Sequence, residues 1–340
     1  MAIDTWTRNA LAVIAIFVVI ILIGQSMIYV ASPYHCDMTV ERNDSTVDVT
    51  VDTNYSLEYT INSLRSDSMR GVGSYVVYFD GQYPVVGDQS VILDAMERLQ
   101  LCFSNDNCDL QMMDASGLQS VMSAKDTSIA VIFMTGTMPE EIYDGTPSSL
   151  IFGWLSAGGA MYWLHEKLGA TYAEKNGSIV PVDDPDGLFF GNSDVINTSK
   201  EQVFTKNLVD GSLTYRLGIY YGETTNGVDC SLLASPYLAL DYNDGVYSAV
   251  TLVKYIGGEG LIGVFGGNLK YEAVPTSAIA SVAQTIVSKL SYDTIALDYA
   301  TASGSDTITL ECGGGFSYVF MFVDRVNAVW AKTIAIPMAS

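Results

Sequence analysis

Residues 74–134 read SYVVYFDGQYPVVGDQSVILDAMERLQLCFSNDNCDLQMMDASGLQSVMSAKDTSIAVIFM. Three apolar runs, Tyr75 to Phe79, Asp109 to Met113 and Ile129 to Met134, alternate here with stretches of helical periodicity, Ser90 to Leu101 and Leu118 to Ser123. Strand, helix, strand, helix, strand calls for parallel neighbours, because a helical crossover returns the chain to the same end of the sheet. Runs that lack polar alternation suit strands covered on both faces. The expected fold class is therefore α/β, a mostly parallel sheet with flanking helices.

The pattern continues downstream. Pro147 and Ser148 can open a helix whose apolar positions Leu150, Ile151, Trp154 and Leu155 recur at helical spacing, and Gly158-Gly159 would end it. Ala160 to Leu164 reads as a buried strand and Pro181 to Gly191 as loop. Strands return at Thr214 to Tyr221, Tyr247 to Tyr255 and Leu261 to Phe265, and a helix at Thr276 to Leu290 carries Ile279, Val282, Ala283, Ile286 and Leu290 on one face. The flanks differ. From Met38 to Leu64 apolar and polar residues alternate, most clearly Val47, Val49 and Val51 against Asp48, Thr50 and Asp52, which is the period of a half-buried strand. Four short runs between Thr294 and Pro337, separated by Gly304-Ser305, Gly313-Gly314-Gly315 and Arg325-Val326-Asn327, form a β-meander. The expected division is a β-segment at 36–64, an α/β domain at 74–292, and a meander at 293–340 that packs with 36–64 as a small terminal β-module.

The first thirty residues belong to neither. Ala10 to Val30, ALAVIAIFVVIILIGQSMIYV, has no charge, and as a helix it would be about 31 Å long, enough to span a bilayer. A cleaved signal peptide is the alternative, but its apolar core is normally shorter. Arg8 before the run and Asp37, Glu41 and Asp44 after it place residues 1–9 as a cytoplasmic tail, 10–30 as a transmembrane helix and the bulk outside the cytoplasm. The formal charge of −22 lies almost wholly beyond residue 30 and repels phosphate backbones, which disfavours nucleic acid. Four Asn-x-Ser/Thr sequons, at Asn43, Asn54, Asn176 and Asn197, suit an extracytoplasmic glycoprotein. Cys102 and Cys108 could close a short disulfide loop, and Cys36 with Cys312 is a candidate second pair.

Taken together, the helix ending Trp154-Leu155-Ser156-Ala157-Gly158-Gly159, the strand Ala160 to Leu164, Lys167-Leu168-Gly169, and the later Gly258-Glu259-Gly260-x-x-Gly263-Val264-Phe265-Gly266-Gly267 followed by a helix resemble the class I glutamine-amidotransferase-like domain. More narrowly, the chain resembles the non-catalytic, membrane-anchored members of that superfamily, of the kind found in intraflagellar-transport and oligosaccharyltransferase subunits. Catalytic members carry a Cys in a Gly-x-Cys-x-Gly elbow served by a late His and Glu. Here the strand runs on into His165-Glu166-Lys167, no histidine follows His165, and Cys230 lies in Gly-Val-Asp-Cys-Ser without an elbow. The resemblance thus implies the fold without amidotransferase chemistry.

Other motifs weaken on inspection. Gly258-x-Gly260-x-x-Gly263 matches the dinucleotide fingerprint as a string, but a strand-like segment follows it where a helix is needed, so it reads as a glycine turn between strands. Asp183-Asp184-Pro185-Asp186 and Asp241-Tyr242-Asn243-Asp244-Gly245 look oxygen-rich, yet neither keeps calcium-loop spacing, so no metal and no cofactor is expected. Ligands of open α/β sheets sit beyond the carboxyl ends of the strands. His165 and Glu166, with Thr135 and Thr137 around Gly136, are therefore the candidate residues of a vestigial pocket. The leading expectation is a membrane-anchored, extracytoplasmic binding or scaffolding subunit of a cell-envelope complex of archaeal type, with protein partners and a glycan as a further candidate ligand. One alternative is an envelope hydrolase or transferase acting on glycans or peptides through His165, Glu166 and Asp184 or Asp186. Another is a structural surface-layer or filament component.

Overall fold

A computed structural model describes residues 36–53, 58–66, 72–105, 107–202, 225–243, 247–266, 276–313, 317–323 and 330–336. The stretch Ala10 to Val30, on which the expected transmembrane helix rests, lies outside the described residues, as do Asn54 and the strand expected at 214–221. Among the described residues, no helix is long and apolar enough to cross a membrane.

The quoted stretch forms β4 (Ser74–Tyr78), α1 (Gln89–Asn105), β5 (Leu110–Met113), α2 (Ala115–Ser123) and β6 (Ile129–Phe133). Next come β7 (Met138–Pro139), α3 (Leu150–Ser156), β8 (Ala160–Trp163), β9 (Thr171–Ala173), β10 (Ile179–Pro181), α4 (Pro185–Phe190) and β11 (Ile196–Gln202). Then follow β12 (Thr225–Asp229), β13 (Tyr237–Asn243), β14 (Tyr247–Lys254), β15 (Leu261–Phe265) and α5 (Thr276–Val287). Strands β5, β4, β6, β8 and β15 are parallel neighbours in that order, so the first strand in sequence lies inside and the chain winds outward both ways.

The expectation of a mostly parallel α/β fold is nevertheless overturned. The protein is mainly β; the described residues form four sheets, and the central one, nine-stranded among them, is mixed: β14 runs antiparallel to β15, β13 and β12, and β11 antiparallel to β12. The reason is connection length. Six residues, 255–260, join β14 to β15, which is too short for a crossover but ample for a hairpin. A small sheet of β7, β9 and β10 lies apart.

Side-chain alternation divides the central core into two layers. Tyr75, Val77, Ala130, Ile132, Ala160 and Tyr162 join Ile92, Met96, Leu99 and Phe103 of α1 and Ile279, Val282 and Ile286 of α5. Val76, Tyr78, Val131, Phe133, Met161 and Trp163, their neighbours along the same strands, join α2, α3 and α4 on the other face. This double burial explains the uninterrupted apolar runs.

Segments 36–66 and 294–336 meet in the remaining sheets. β1 (Cys36–Asn43), β2 (Thr46–Thr53) and β17 (Asp306–Glu311) make one antiparallel sheet. β16 (Thr294–Ser303), β3 (Glu58–Ser66), β18 (Ser317–Val323) and β19 (Trp330–Ile336) make another. Met38, Val47, Val49, Val51 and Leu310 of the first sheet close a small core with Tyr59, Ile61 and Val319 of the second. The chain passes from β16 to β17 at Gly304, whose φ is +72° and whose carbonyl accepts from the Tyr59 hydroxyl at 2.8 Å.

Candidate functional site

The parallel strands define a switch point between β4 and β6, where chain direction around the sheet reverses and where such sheets hold ligands. The structure brings three of the four expected pocket residues to that edge. Thr135 and Thr137 follow β6 and His165 follows β8; they are 1%, 0% and 2% exposed. The segment after β4 lies across them. Val86 donates its amide to the Thr135 carbonyl at 2.9 Å, Thr137 Oγ1 donates to the Pro84 carbonyl at 3.0 Å, and His165 Nε2 meets the Val86 carbonyl at 3.1 Å. Gly136, at φ +72°, is the tightest point: a Cβ there would stand 2.8 Å from both the His165 ring and the Val86 side chain. Glu166 is half-buried and its carbonyl accepts from Trp163 Nε1 at 2.8 Å. What an open pocket would leave for a ligand is filled by the chain's own residues 84–86.

Beside this plug lies an acidic and phenolic cluster that the sequence reading missed. The Tyr83 hydroxyl donates to Glu141 Oε1, and the other oxygen of Glu141 is buried, as is the hydroxyl of Tyr78. Burial, reinforced by Asp80, Tyr83 and Glu141, holds the Tyr78 phenol well above its ordinary range. Asp80 and Asp114 beside it serve as caps: Asp80 accepts from the Gln82 amide, and Asp114 from the amide of Gly117 at the start of α2. Their local turn bonds explain them without a ligand.

No protein-family model matches this chain, and no curated protein matches it either.

The acidic run after β10 is split between two tasks. Asp184 caps α4, accepting from the Gly187 amide at 3.0 Å and from Ser193 Oγ at 2.9 Å. Asp186 is fully buried; Oδ2 accepts from Lys167 Nζ at 3.0 Å and from the Ile196 amide at 2.9 Å, tying the β8 exit to the start of β11. Burial pushes its carboxyl up, against the opposing pull of the Ile196 amide and Lys167. The Asp184-Pro185 pair, a cap followed by proline at the first helical position, was the sequence signal for this helix, read as loop from composition. A groove of about 550 Å³ opens beside α4, lined by Asp144, Tyr172, Val180, Val182, Asp183 and Leu188 among others. With a tyrosine ring, aliphatic side chains and carboxylate acceptors, it could accept hydroxyl donors. Of the residues in the hydrolase alternative, His165 lies under the plug, Asp186 is held by Lys167 and Asp184 caps α4, while Glu166 is half-buried beside His165.

The remaining expected residues scatter. Asn43 ends β1, Asn176 stands at the tip of the β9–β10 hairpin, and Asn197 lies in β11. Cys102 in α1 and Cys108 beyond it pack against the same core layer, and no disulfide is present among the described residues. The Cys36–Cys312 pair is excluded by register. Cys36 is opposite Thr53, whereas the Cys312 amide bonds to the Ser45 carbonyl, so the two flank opposite ends of β2, roughly 26 Å apart at the usual strand rise.

Proposed function

We propose that this protein is an extracytoplasmic binding or scaffolding subunit, tethered to a membrane by its apolar N-terminal stretch. The observation that carries the reading is the seal over the switch point: Thr135, Thr137 and His165 are spent on holding residues 84–86. A catalytic edge keeps its polar groups available to substrate; a scaffold has no such need.

The β5 edge of the central sheet, which pairs with no further strand among the described residues, supports a contact surface. β5 pairs with β4 on one side, and Met113 gives its carbonyl to Phe79, so Met112 faces outward in the ladder. Gln100 Nε2 caps the Leu110 carbonyl at 3.1 Å, which blunts the edge, but Met112 in β5 and Leu101 in α1 are 48% and 61% exposed. Such an edge suits addition of a partner strand.

The test is to purify the intact protein in detergent from its own cells and weigh what comes with it. A stoichiometric partner that survives His165→Ala and is lost with Met112→Lys supports the proposal. Loss of function with His165→Ala, in protein that still folds, sinks it. Surface labelling of whole cells with a membrane-impermeant reagent checks the placement: labelled residues must lie beyond residue 30.

A further inference from the structure

We infer that Asn176 carries an N-linked glycan, and that among the sequons whose turns are described it is the acceptor while Asn43 is a structural residue. This rests on the extracytoplasmic placement proposed above.

The two turns are built differently. β9 and β10 pair over three residues, and Glu174 to Ser178 closes them. Gly177 donates to the Glu174 carbonyl and Glu174 to the Ser178 carbonyl, each at 2.9 Å. Within the sequon, Asn176 Oδ1 accepts the Ser178 amide at 2.8 Å, which draws the acceptor asparagine and the hydroxyl residue together in one Asx turn. Gly177 occupies the middle position at φ +94°, and a Cβ there would meet nothing within 4 Å, so the tip stands in open space. Residues 175–179 are all exposed. One N–H of Asn176 Nδ2 bonds to Glu174 Oε2 at 2.8 Å, and an amide nitrogen has a second.

Asn43 is also exposed but enmeshed. Its Nδ2 donates to Asp48 Oδ2 at 2.6 Å, and Asp48 also accepts from Thr309 on β17, so the amide belongs to a network across the outer face of the first sheet. Its carbonyl accepts from Thr46 Oγ1, and the Ser45 carbonyl of the same sequon accepts from the Cys312 amide at 2.8 Å. Asn43 Nδ2 also has a second N–H, but its amide lies against the face of a paired sheet, bound to an acid that Thr309 holds as well, whereas Asn176 stands at an open tip. Asn197 lies in strand pairing opposite Gly227.

The co-reactant is a lipid-phosphate-linked oligosaccharide. Asn176 Nδ2 attacks the anomeric carbon, the carbon–oxygen bond to phosphate breaks with its electron pair leaving on the lipid phosphate, and the nitrogen loses one proton. The product is an N-glycosidic bond.

The experiment compares wild type, Asn176→Gln and Ser178→Ala, each full length and produced in cells that carry out this transfer, by intact mass and glycopeptide mapping. Membrane-impermeant labelling runs in parallel. The expected result is a glycan-sized mass increment at Asn176 that both variants lose, with Asn43 bare. A labelled, translocated chain with Asn176 bare overturns the assignment and leaves the placement standing. A chain neither labelled nor glycosylated overturns the placement, and this inference falls with it.

Discussion

His165 Nε2 and the carbonyl of Val86, 79 residues apart in the chain, meet at 3.1 Å beyond the carboxyl ends of the parallel strands. The contact makes a candidate catalytic histidine into a clasp. Removing the ring in His165→Ala deletes that bond and opens a cavity at a site that is 2% exposed, a loss of about 2–3 kcal/mol. Gly136→Ala combines a left-handed backbone with a Cβ 2.8 Å from both partners and should cost at least about 2 kcal/mol. Urea unfolding measures both. A Gly136→Ala protein as stable as wild type would mean that the plug is loose.

The glycines at 258 and 260 make a second case in which a motif-like string does structural work. They lie in the β14–β15 connection, and a Cβ on either would sit 2.4 Å from a backbone carbonyl at the end of α3, that of Ser156 or Leu155. Backbone cannot swing aside as a side chain can, so Gly258→Ala and Gly260→Ala should each cost roughly 2–4 kcal/mol. Gly153, inside α3 with nothing within 4 Å of its Cβ position, is the control: Gly153→Ala should be neutral or stabilising by about 0.5–1 kcal/mol. Thermal melts of the three variants decide, and equal behaviour would refute the close-approach account.

These glycines also show how far the sequence could be read. Apolar runs at Tyr75, Ile129 and Ala160 located buried strands, because burial on both faces leaves a direct mark on composition. Strand direction leaves none. The signal that β14 and β15 are antiparallel was the six-residue link itself, read as a turn without drawing its consequence for the sheet. At the site, Thr135, Thr137 and His165 were found by their positions after strands. Val86, Tyr83 and Glu141 were not, since what brings them there is the path of a loop, and no local residue pattern encodes that path.

Cysteine connectivity gives a third prediction. With Cys36 opposite Thr53 and Cys312 bonded next to Ser45, the two thiols cannot approach disulfide range, which needs Cα atoms within about 7 Å. Peptide mapping of the non-reduced, folded protein should yield no Cys36–Cys312 cross-linked peptide, before or after mild oxidation. Finding that peptide would require a β1–β2 register unlike the one described.

Asp186 yields the last, through its pH dependence. Burial holds its folded pKa above the ordinary 3.8, so the native state binds this proton more tightly than the unfolded chain does. A carboxyl shifted upward contributes stability that is complete below the unfolded pKa and falls away as pH rises through the window to the folded one. Asp114 and Asp126 have the opposite sign: backbone and side-chain hydrogen bonds from Gly117 and Ser128 hold them below 3.8, and their contribution is lost as pH falls. Asp186→Asn can keep an acceptor for the Ile196 amide while removing the titration. Its unfolding free energy relative to wild type should therefore climb as pH rises above about 4, and then level off. Denaturant unfolding over a pH series reads this directly; a difference that stays flat or declines across the window would show that Lys167, at 3.0 Å, outweighs burial after all.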